Sequence, residues 1–259
     1  DDGAGFVEKV KGELEVWAGV RPAPHKAAPS LDPPALEAWR CGPMLAAGAQ
    51  DAHAQPTEGT LMITVAQFSD LHFSGKNLDE AGRCFGFAVD QAIRRGVDAA
   101  VISGDATDHA LDVHSPAVER LAREVRRLAD HCPVLMLQGT FSHEPPGTLA
   151  IFPLLGGRHP VFVADHLGQV ALMEEGRWVP SQAWRFDAVP AGARVIFTCV
   201  PTVNKAVVAA TVGATEAAEA VGQELAALLA GYGSINRTAR AAQVPTIGVA
   251  HGTVTGCVT

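Results

Sequence analysis

Four short motifs in this chain combine carboxylate and imidazole side chains. They are Asp70-Leu71-His72, Gly104-Asp105 with Asp108 beyond it, Gly139-Thr140-Phe141-Ser142-His143, and Ala250-His251-Gly252. Carboxylate and imidazole together are the ligands that bind Mn, Fe or Zn in proteins. A pair of such ions can hold a phosphodiester and activate a water molecule to attack it. The motifs therefore predict a hydrolytic metal site.

Each motif follows a short apolar run that is typical of a β-strand. The runs cover residues 63–68, 99–103, 134–137 and 245–250, and further strands are expected at 160–163, 169–173 and 194–200. Helical spacing of apolar residues predicts helices over 78–95, with Asn77 and Glu80 as a capping box, over 116–128 after Ser115, and near 215–230. This alternation predicts an α/β fold with parallel strands. Loops at the carboxyl ends of parallel strands converge, so we expect the motifs to meet.

With these residues in this order, the chain resembles the calcineurin-like metallophosphoesterases, and most of all the SbcD-type DNA exonucleases. The matching segments are Phe68-Ser69-Asp70-Leu71-His72, Ser103-Gly104-Asp105, Val134 to His143, and Ala250-His251-Gly252. The resemblance covers roughly residues 62–259. It implies a four-layer α/β/β/α sandwich that hydrolyses phosphodiesters with the help of metal ions, with DNA as the favoured substrate.

The resemblance also implies a role for each site residue. The residues that would hold two divalent ions are Asp70, His72, Asp105 and His251, with Asp105 bridging the ions. Mn is the favoured metal, ahead of Fe, Zn or Mg. A water molecule activated by both ions would attack phosphorus in line, and His143 would protonate the leaving oxygen. Asp108 would orient His143 through a carboxylate–imidazole pair, and a helix or turn cap is an equal alternative for Asp108.

The third motif departs from the family pattern. Where the family has Gly-Asn-His followed by Asp or Glu, this chain has Gly139-Thr140-Phe141-Ser142-His143-Glu144. The metal-binding asparagine is therefore missing and one residue is inserted. The hydroxyl of Thr140 or Ser142 could take its place as a weak ligand. The family's last motif, Gly-His-x-His, does not occur before Thr259, which predicts a domain that is truncated at its carboxyl terminus.

Three other functions stay open from the sequence. A small-molecule phosphodiesterase of the same fold is one. A protein phosphatase is disfavoured, because His109 stands where that branch has an arginine. A non-catalytic binding module would explain the altered third motif. Arginines at positions 120, 123, 126 and 127 could contact phosphates, although the interspersed Glu119 and Glu124 favour a solvated helix face.

Composition limits the class of protein. The chain has 259 residues, 47% of them hydrophobic, which is enough for a sizeable core. A net charge of −8 argues against a generally basic nucleic-acid coat, although a local basic patch could still act. The five cysteines are scattered and never form Cys-x-x-Cys, which favours reduced thiols and a cytoplasmic location. We find neither a signal peptide nor an apolar run that could span a bilayer, so no membrane association is predicted.

Residues 1–61 differ from the rest of the chain. Apolar residues at helical spacing predict a short amphipathic helix around 4–19, and prolines and alanines then predict a linker. We interpret 1–61 as a disordered N-terminal extension and 62–259 as an incomplete metallophosphoesterase domain. The family resemblance further implies an SbcC-like ATPase partner and a homodimer.

Overall fold

The computed structural model describes residues 62–202 and 214–252. Its strands are β1 (Val65–Phe68), β2 (Ala99–Ile102), β3 (Val134–Leu137), β4 (Val161–Ala164), β5 (Gly168–Met173), β6 (Trp178–Pro180), β7 (Ala193–Val200) and β8 (Thr246–Ala250). Its helices are α1 (Leu78–Arg95), α2 (Pro116–His131) and α3 (Ala214–Ala241), with a 3₁₀ helix at Thr148–Leu155. The predictions for residues 1–61 and for the tail after Gly252 lie outside the described residues.

The strands form two four-stranded sheets of different kinds. The first sheet has the order β1-β2-β3-β4 with every neighbouring pair parallel. The second has the order β6-β5-β7-β8, in which β5 is antiparallel to both of its neighbours and β8 is parallel to β7. The fold is therefore mixed α/β, and the predicted parallel pairing of β1, β2 and β3 is confirmed. Their carboxyl ends lie at one edge of the first sheet.

The helix termini follow local rules with one exception. Ser115 begins α2 by accepting a hydrogen bond from the N–H of Ala117 at 3.2 Å, and Gly96 ends α1 at a φ of 62°. The predicted capping box at Asn77 is wrong. Its amide instead accepts from Ser74 and donates to the carbonyl of His72 at 2.8 Å, so Asn77 fixes the loop before the helix. Among the described residues, no helix combines the length and apolarity that a bilayer crossing needs.

Three apolar clusters hold these elements together. The first packs α1 and α2 on one face of the first sheet, and the second packs the other face of that sheet on the second sheet. The third packs α3 on the outer face of the second sheet. Strand β3 shows the cause, because Val134 and Met136 belong to the first cluster and Leu135 and Leu137 to the second. Side chains alternate along a strand, so an apolar run is buried on both faces.

Candidate metal centre

The loops that follow β1 and β2 continue the parallel pairing of their strands. The N–H of Asp70 donates to the carbonyl of Gly104 at 3.2 Å, and the N–H of His72 donates to the carbonyl of Asp105 at 3.0 Å. The N–H of His251 donates to Val200, which keeps β8 beside β7 to its last residue. Backbone pairing thus places the first, second and fourth motifs at the ends of their strands, as the sequence predicts.

Six of the predicted site residues converge there in two clusters. Asp70, Asp105 and His251 form one, and His72, Asp108 and His143 form the other. Within each cluster, one ligand atom from each residue lies within 4.8 Å of the others, and each cluster could hold a metal ion. The two clusters are neighbours, because His72 Nε2 is 3.9 Å from Asp70 Oδ1. His72 is thus grouped with Asp108 and His143, and His251 with Asp70 and Asp105.

The contact between His251 and Asp105 is the most informative one. Nδ1 of His251 lies 2.8 Å from the carbonyl oxygen of Ser103, which can only accept, so Nδ1 carries the proton. Nε2 of a neutral ring then directs its lone pair at Asp105 Oδ2, 3.3 Å away. Two acceptors face each other in a buried place, so the contact needs a cation or a proton between them. Ligating histidines in metal sites commonly donate their other N–H to a backbone carbonyl in this way.

The geometry around His143 corrects one prediction. Its Nδ1 lies 2.6 Å from the backbone carbonyl of Asp108, whereas the carboxylate of Asp108 is 4.0 Å away. Asp108 therefore orients His143 through its main chain, and not through the expected carboxylate–imidazole pair. The carboxylate lies instead beside His72 Nδ1 at 3.7 Å and His109 Nδ1 at 3.4 Å. His72 Nδ1 is buried and has no hydrogen-bond partner, so its lone pair or proton is not used within the site.

The backbone is strained at the same positions. Four described non-glycine residues have positive φ, and three of them are Asp70 at 54°, His72 at 46° and Asp105 at 51°. A non-glycine residue in this region costs about 1–3 kcal/mol and persists only where the surrounding structure imposes it. Such strain concentrates at functional sites. Its coincidence with three candidate ligands supports a functional role for this edge of the sheet.

Two glycines allow the loops to approach each other closely. A Cβ atom on Gly104, where φ is 103°, would collide with the ring of His251. A Cβ atom on Gly139 would collide with both the backbone nitrogen and the carboxylate of Asp105. The two glycines therefore stand directly against His251 and Asp105. Any other residue would push apart the side chains that form the first cluster.

The third motif contributes Thr140 to the site, whereas Ser142 stays outside it. The hydroxyl of Thr140 lies 3.0 and 3.2 Å from the two carboxylate oxygens of Asp105, and its N–H donates to Oδ1 at 2.7 Å. Thr140 thus holds Asp105 in place. Ser142 is exposed, and within the described chain no hydrogen bond joins its side chain to a candidate ligand.

The site also includes Glu144, to which the sequence analysis assigns no role. Glu144 is fully buried, and its carboxylate accepts hydrogen bonds from the N–H groups of Ala106 at 2.5 Å, Thr107 at 3.4 Å and Gly139 at 2.6 Å. Burial raises the pKa of Glu144, and the three backbone hydrogen bonds act in the opposite direction. The only signal in the sequence is its position directly after His143.

The arginines on α2 are engaged in ion pairs. Arg123 pairs with Glu119 at 2.7 Å and Arg126 with Asp130 at 3.1 Å. Arg120 and Arg127 both pair with Glu124, which is buried. These guanidinium groups are therefore paired with carboxylates, which favours a solvated helix face over a surface that contacts phosphates.

Comparisons with known proteins do not name a family for this chain. No family model matches it, and no curated protein matches it.

Proposed function

We propose that the chain is a divalent-metal-dependent phosphodiester hydrolase of the calcineurin-like metallophosphoesterase class, similar to SbcD-type nucleases. The observation that carries the proposal is the buried contact between His251 Nε2 and Asp105 Oδ2 at 3.3 Å, which a bound cation would bridge as well as a proton. Asp70 completes a ligand set of two carboxylates and one imidazole. That mixture suits Mn, Fe or Zn, and Mn is the favoured metal.

The packing of the helices and sheets supports a four-layer α/β/β/α sandwich. One apolar cluster lies between helices and the first sheet, one between the two sheets, and one between the second sheet and α3. Three such clusters are what a four-layer α/β/β/α sandwich requires. We therefore include this sandwich in the proposal.

The residues present fit two neighbouring cations. Asp70, Asp105 and His251 would hold one, and His72 would offer its unpartnered Nδ1 to a second, beside Asp108. When bound, such ions polarise phosphoryl oxygens and generate a nucleophile from water at neutral pH. The chain itself fixes the orientation of Asp105, since Thr140 donates to both of its carboxylate oxygens.

His143 is the residue placed to move a proton. Its Nδ1–H is held by the carbonyl of Asp108, so Nε2 is the nitrogen that can gain or release a proton. The side chain is 31% exposed, which leaves it within reach of a substrate at the mouth of the site. In its protonated form, Nε2 would donate to the leaving oxygen of a phosphodiester.

DNA is the substrate that the family resemblance favours, with an SbcC-like ATPase as the implied partner. A small-molecule phosphodiester is the second candidate. The observation in its favour is that all four α2 arginines are already paired with carboxylates, Asp90 of α1 among them, so they offer little unbalanced positive charge to a phosphate backbone.

The experiment compares Mn-dependent hydrolysis of bis-p-nitrophenyl phosphate and of an oligonucleotide by the wild-type chain, His251→Ala and His166→Ala. His166 is a matched control, because its ring is 80% exposed and its ion-pair partner is Asp165. We expect hydrolysis by the wild type and by His166→Ala, and background rates for His251→Ala. Absence of Mn-dependent hydrolysis in the wild type on both substrates would contradict the proposal and favour a binding module.

A further inference from the structure

Glu144 connects the two loops that carry most of the site. We call residues 103–109 the Asp105 loop and residues 138–144 the His143 loop. The carboxylate of Glu144 belongs to the His143 loop, where Oε2 accepts from Gly139 at 2.6 Å. Oε1 reaches across to the Asp105 loop and accepts from Ala106 at 2.5 Å. One side chain therefore bonds to the backbone of both loops.

Hydrogen bonds also fix the main chain of Glu144. Its N–H donates to Thr140 at 2.7 Å, and its carbonyl accepts from the buried amide of Gln138 at 3.0 Å. The main chain of Glu144 is thus fixed inside its own loop before the side chain crosses to the other. Both carboxylate oxygens accept from N–H donors, so a side chain with two acceptor oxygens is required at this position.

Glu144 does not face the candidate ligands itself. Its oxygens are used by backbone N–H groups, and the residue is fully buried. The backbone groups that Glu144 binds lie next to candidate site residues. Asp105 directly precedes Ala106, and Thr140 directly follows Gly139. A second link between the loops is the hydroxyl of Thr107, which donates to the carbonyl of His143 at 2.9 Å.

We propose that Glu144 is a positioning residue of the metal centre, which sets the spacing between Asp105 and the pair Thr140 and His143 by binding the backbone of both loops. Its effect on catalysis rests on the proposed function, whereas its effect on the geometry does not. Outer-shell partners of this kind typically change metal affinity or activity by roughly 10–100-fold when they are replaced.

The test uses the full chain with Glu144→Gln, Glu144→Asp and the control Glu124→Gln. Glutamine keeps the shape but presents an N–H₂ group to a backbone N–H, and aspartate keeps the charge but is too short to reach both loops. Glu124 is the matched control. Like Glu144 it is a buried glutamate with charged or polar partners, but it lies on α2 between Arg120 and Arg127, outside the two loops. All three variants should lose stability.

Affinity for Mn²⁺, measured by isothermal titration, separates positioning from mere folding. We expect roughly 10–100-fold weaker binding in Glu144→Gln and a smaller loss in Glu144→Asp, with wild-type affinity in Glu124→Gln. Turnover of bis-p-nitrophenyl phosphate at saturating Mn²⁺ should fall through kcat more than through KM. If Glu144→Gln does not fold, Glu144→Asp decides. A folded variant of either kind with wild-type Mn²⁺ affinity overturns the proposal.

Hydrogen exchange makes the test independent of the proposed function. The N–H of Thr140 donates to Asp105, so its exchange rate reports the spacing of the loops without any ion or substrate. We expect faster exchange at Thr140 in the Glu144 variants than their global stability explains, and no such excess in Glu124→Gln. If the wild type neither binds Mn²⁺ nor hydrolyses phosphodiesters, the proposed function fails, while unchanged exchange at Thr140 would separately overturn the role of Glu144.

Discussion

Two regions of the molecule concentrate charged side chains, and they are built in opposite ways. Between α1 and α2, Glu124 lies between Arg120 and Arg127, and Arg127 also contacts Asp90. At the strand ends, the carboxylates face imidazoles instead, as Asp105 faces His251 at 3.3 Å. The first region is an assembly of opposite charges. The second collects groups that all bind cations.

The difference separates a structural use of charge from a functional one. On the helix pair, the positive charges are balanced by carboxylates of the same chain. Glycines at 82 and 86 let α1 approach Arg120 and Glu124 closely. The strand ends carry positive-φ backbone at Asp70, His72 and Asp105 and an unpartnered buried nitrogen on His72. Such a region lowers the stability of the protein alone, and we propose that a bound cation completes it. Substitutions in the two regions should therefore have opposite effects on stability.

Asp105→Asn is expected to have the largest effect. It should remove most bound Mn²⁺ and nearly all hydrolysis, because the central carboxylate of the first cluster loses its charge. Without metal, the variant should be at least as stable as the wild type, because the neutral amide at position 105 is no longer repelled by the nearby carboxylate of Asp70. Metal analysis and thermal unfolding in chelator measure both effects. Unchanged Mn²⁺ stoichiometry would rule out the role of Asp105.

His143→Ala should lower turnover of DNA by roughly 10²–10⁴-fold, because the leaving oxygen loses its proton donor. A p-nitrophenyl ester needs little protonation of its leaving group, so its hydrolysis should fall far less. Steady-state kinetics on both substrates gives the comparison. Equal losses on the two substrates would contradict the assignment of His143 as the general acid.

Glu124→Gln tests the structural region. It leaves Arg120 and Arg127 without their shared buried carboxylate, and should lower the free energy of unfolding by about 1–3 kcal/mol. Mn²⁺ affinity should stay at the wild-type value. Urea unfolding measures the loss, and a variant as stable as the wild type would show that this ion-pair cluster contributes nothing.

Thr140→Val should have the smallest effect. It removes the hydroxyl that bonds to Asp105 at 3.0 and 3.2 Å and keeps both the shape and the N–H donor. A single lost hydrogen bond of about 0.5–1.5 kcal/mol corresponds to a weakening of Mn²⁺ binding by roughly 2–10-fold. Titration with Mn²⁺ measures this change. A loss as large as that of Asp105→Asn would instead indicate that the hydroxyl is itself a ligand.

Local patterns were enough to predict most elements near the site. The apolar runs before Gly104 and Gly139 form β2 and β3, and Ser115 begins α2 as its side chain predicts. The end of α3 is different. The sequence predicts a helix near 215–230, yet α3 continues to Ala241, past glycine residues that disfavour a helix interior. Gly231 is tolerated since a Cβ atom there would collide with the ring of Trp184, so tertiary packing overrides local propensity.

The site was predictable in its residues but not in its contacts. Six residues converge as the order of motifs predicts. The division of these residues between the two clusters, and the use of the Asp108 carbonyl to hold His143, depend on loop geometry that no spacing encodes. The role of Glu144 arises from backbone groups more than thirty positions earlier in the chain. Hydrogen bonds between a side chain and the main chain of a distant loop leave no pattern in the sequence.

Anomalous diffraction from crystals of the full chain grown with Mn²⁺ tests the central claim most directly, because it locates the ion. We predict a manganese peak between Asp105 Oδ2 and His251 Nε2, within bonding distance of both, and its loss in Asp105→Asn. A second peak beside His72 is expected at higher Mn²⁺ concentration. Crystals saturated with Mn²⁺ that show no peak at Asp105 and His251 would contradict the account.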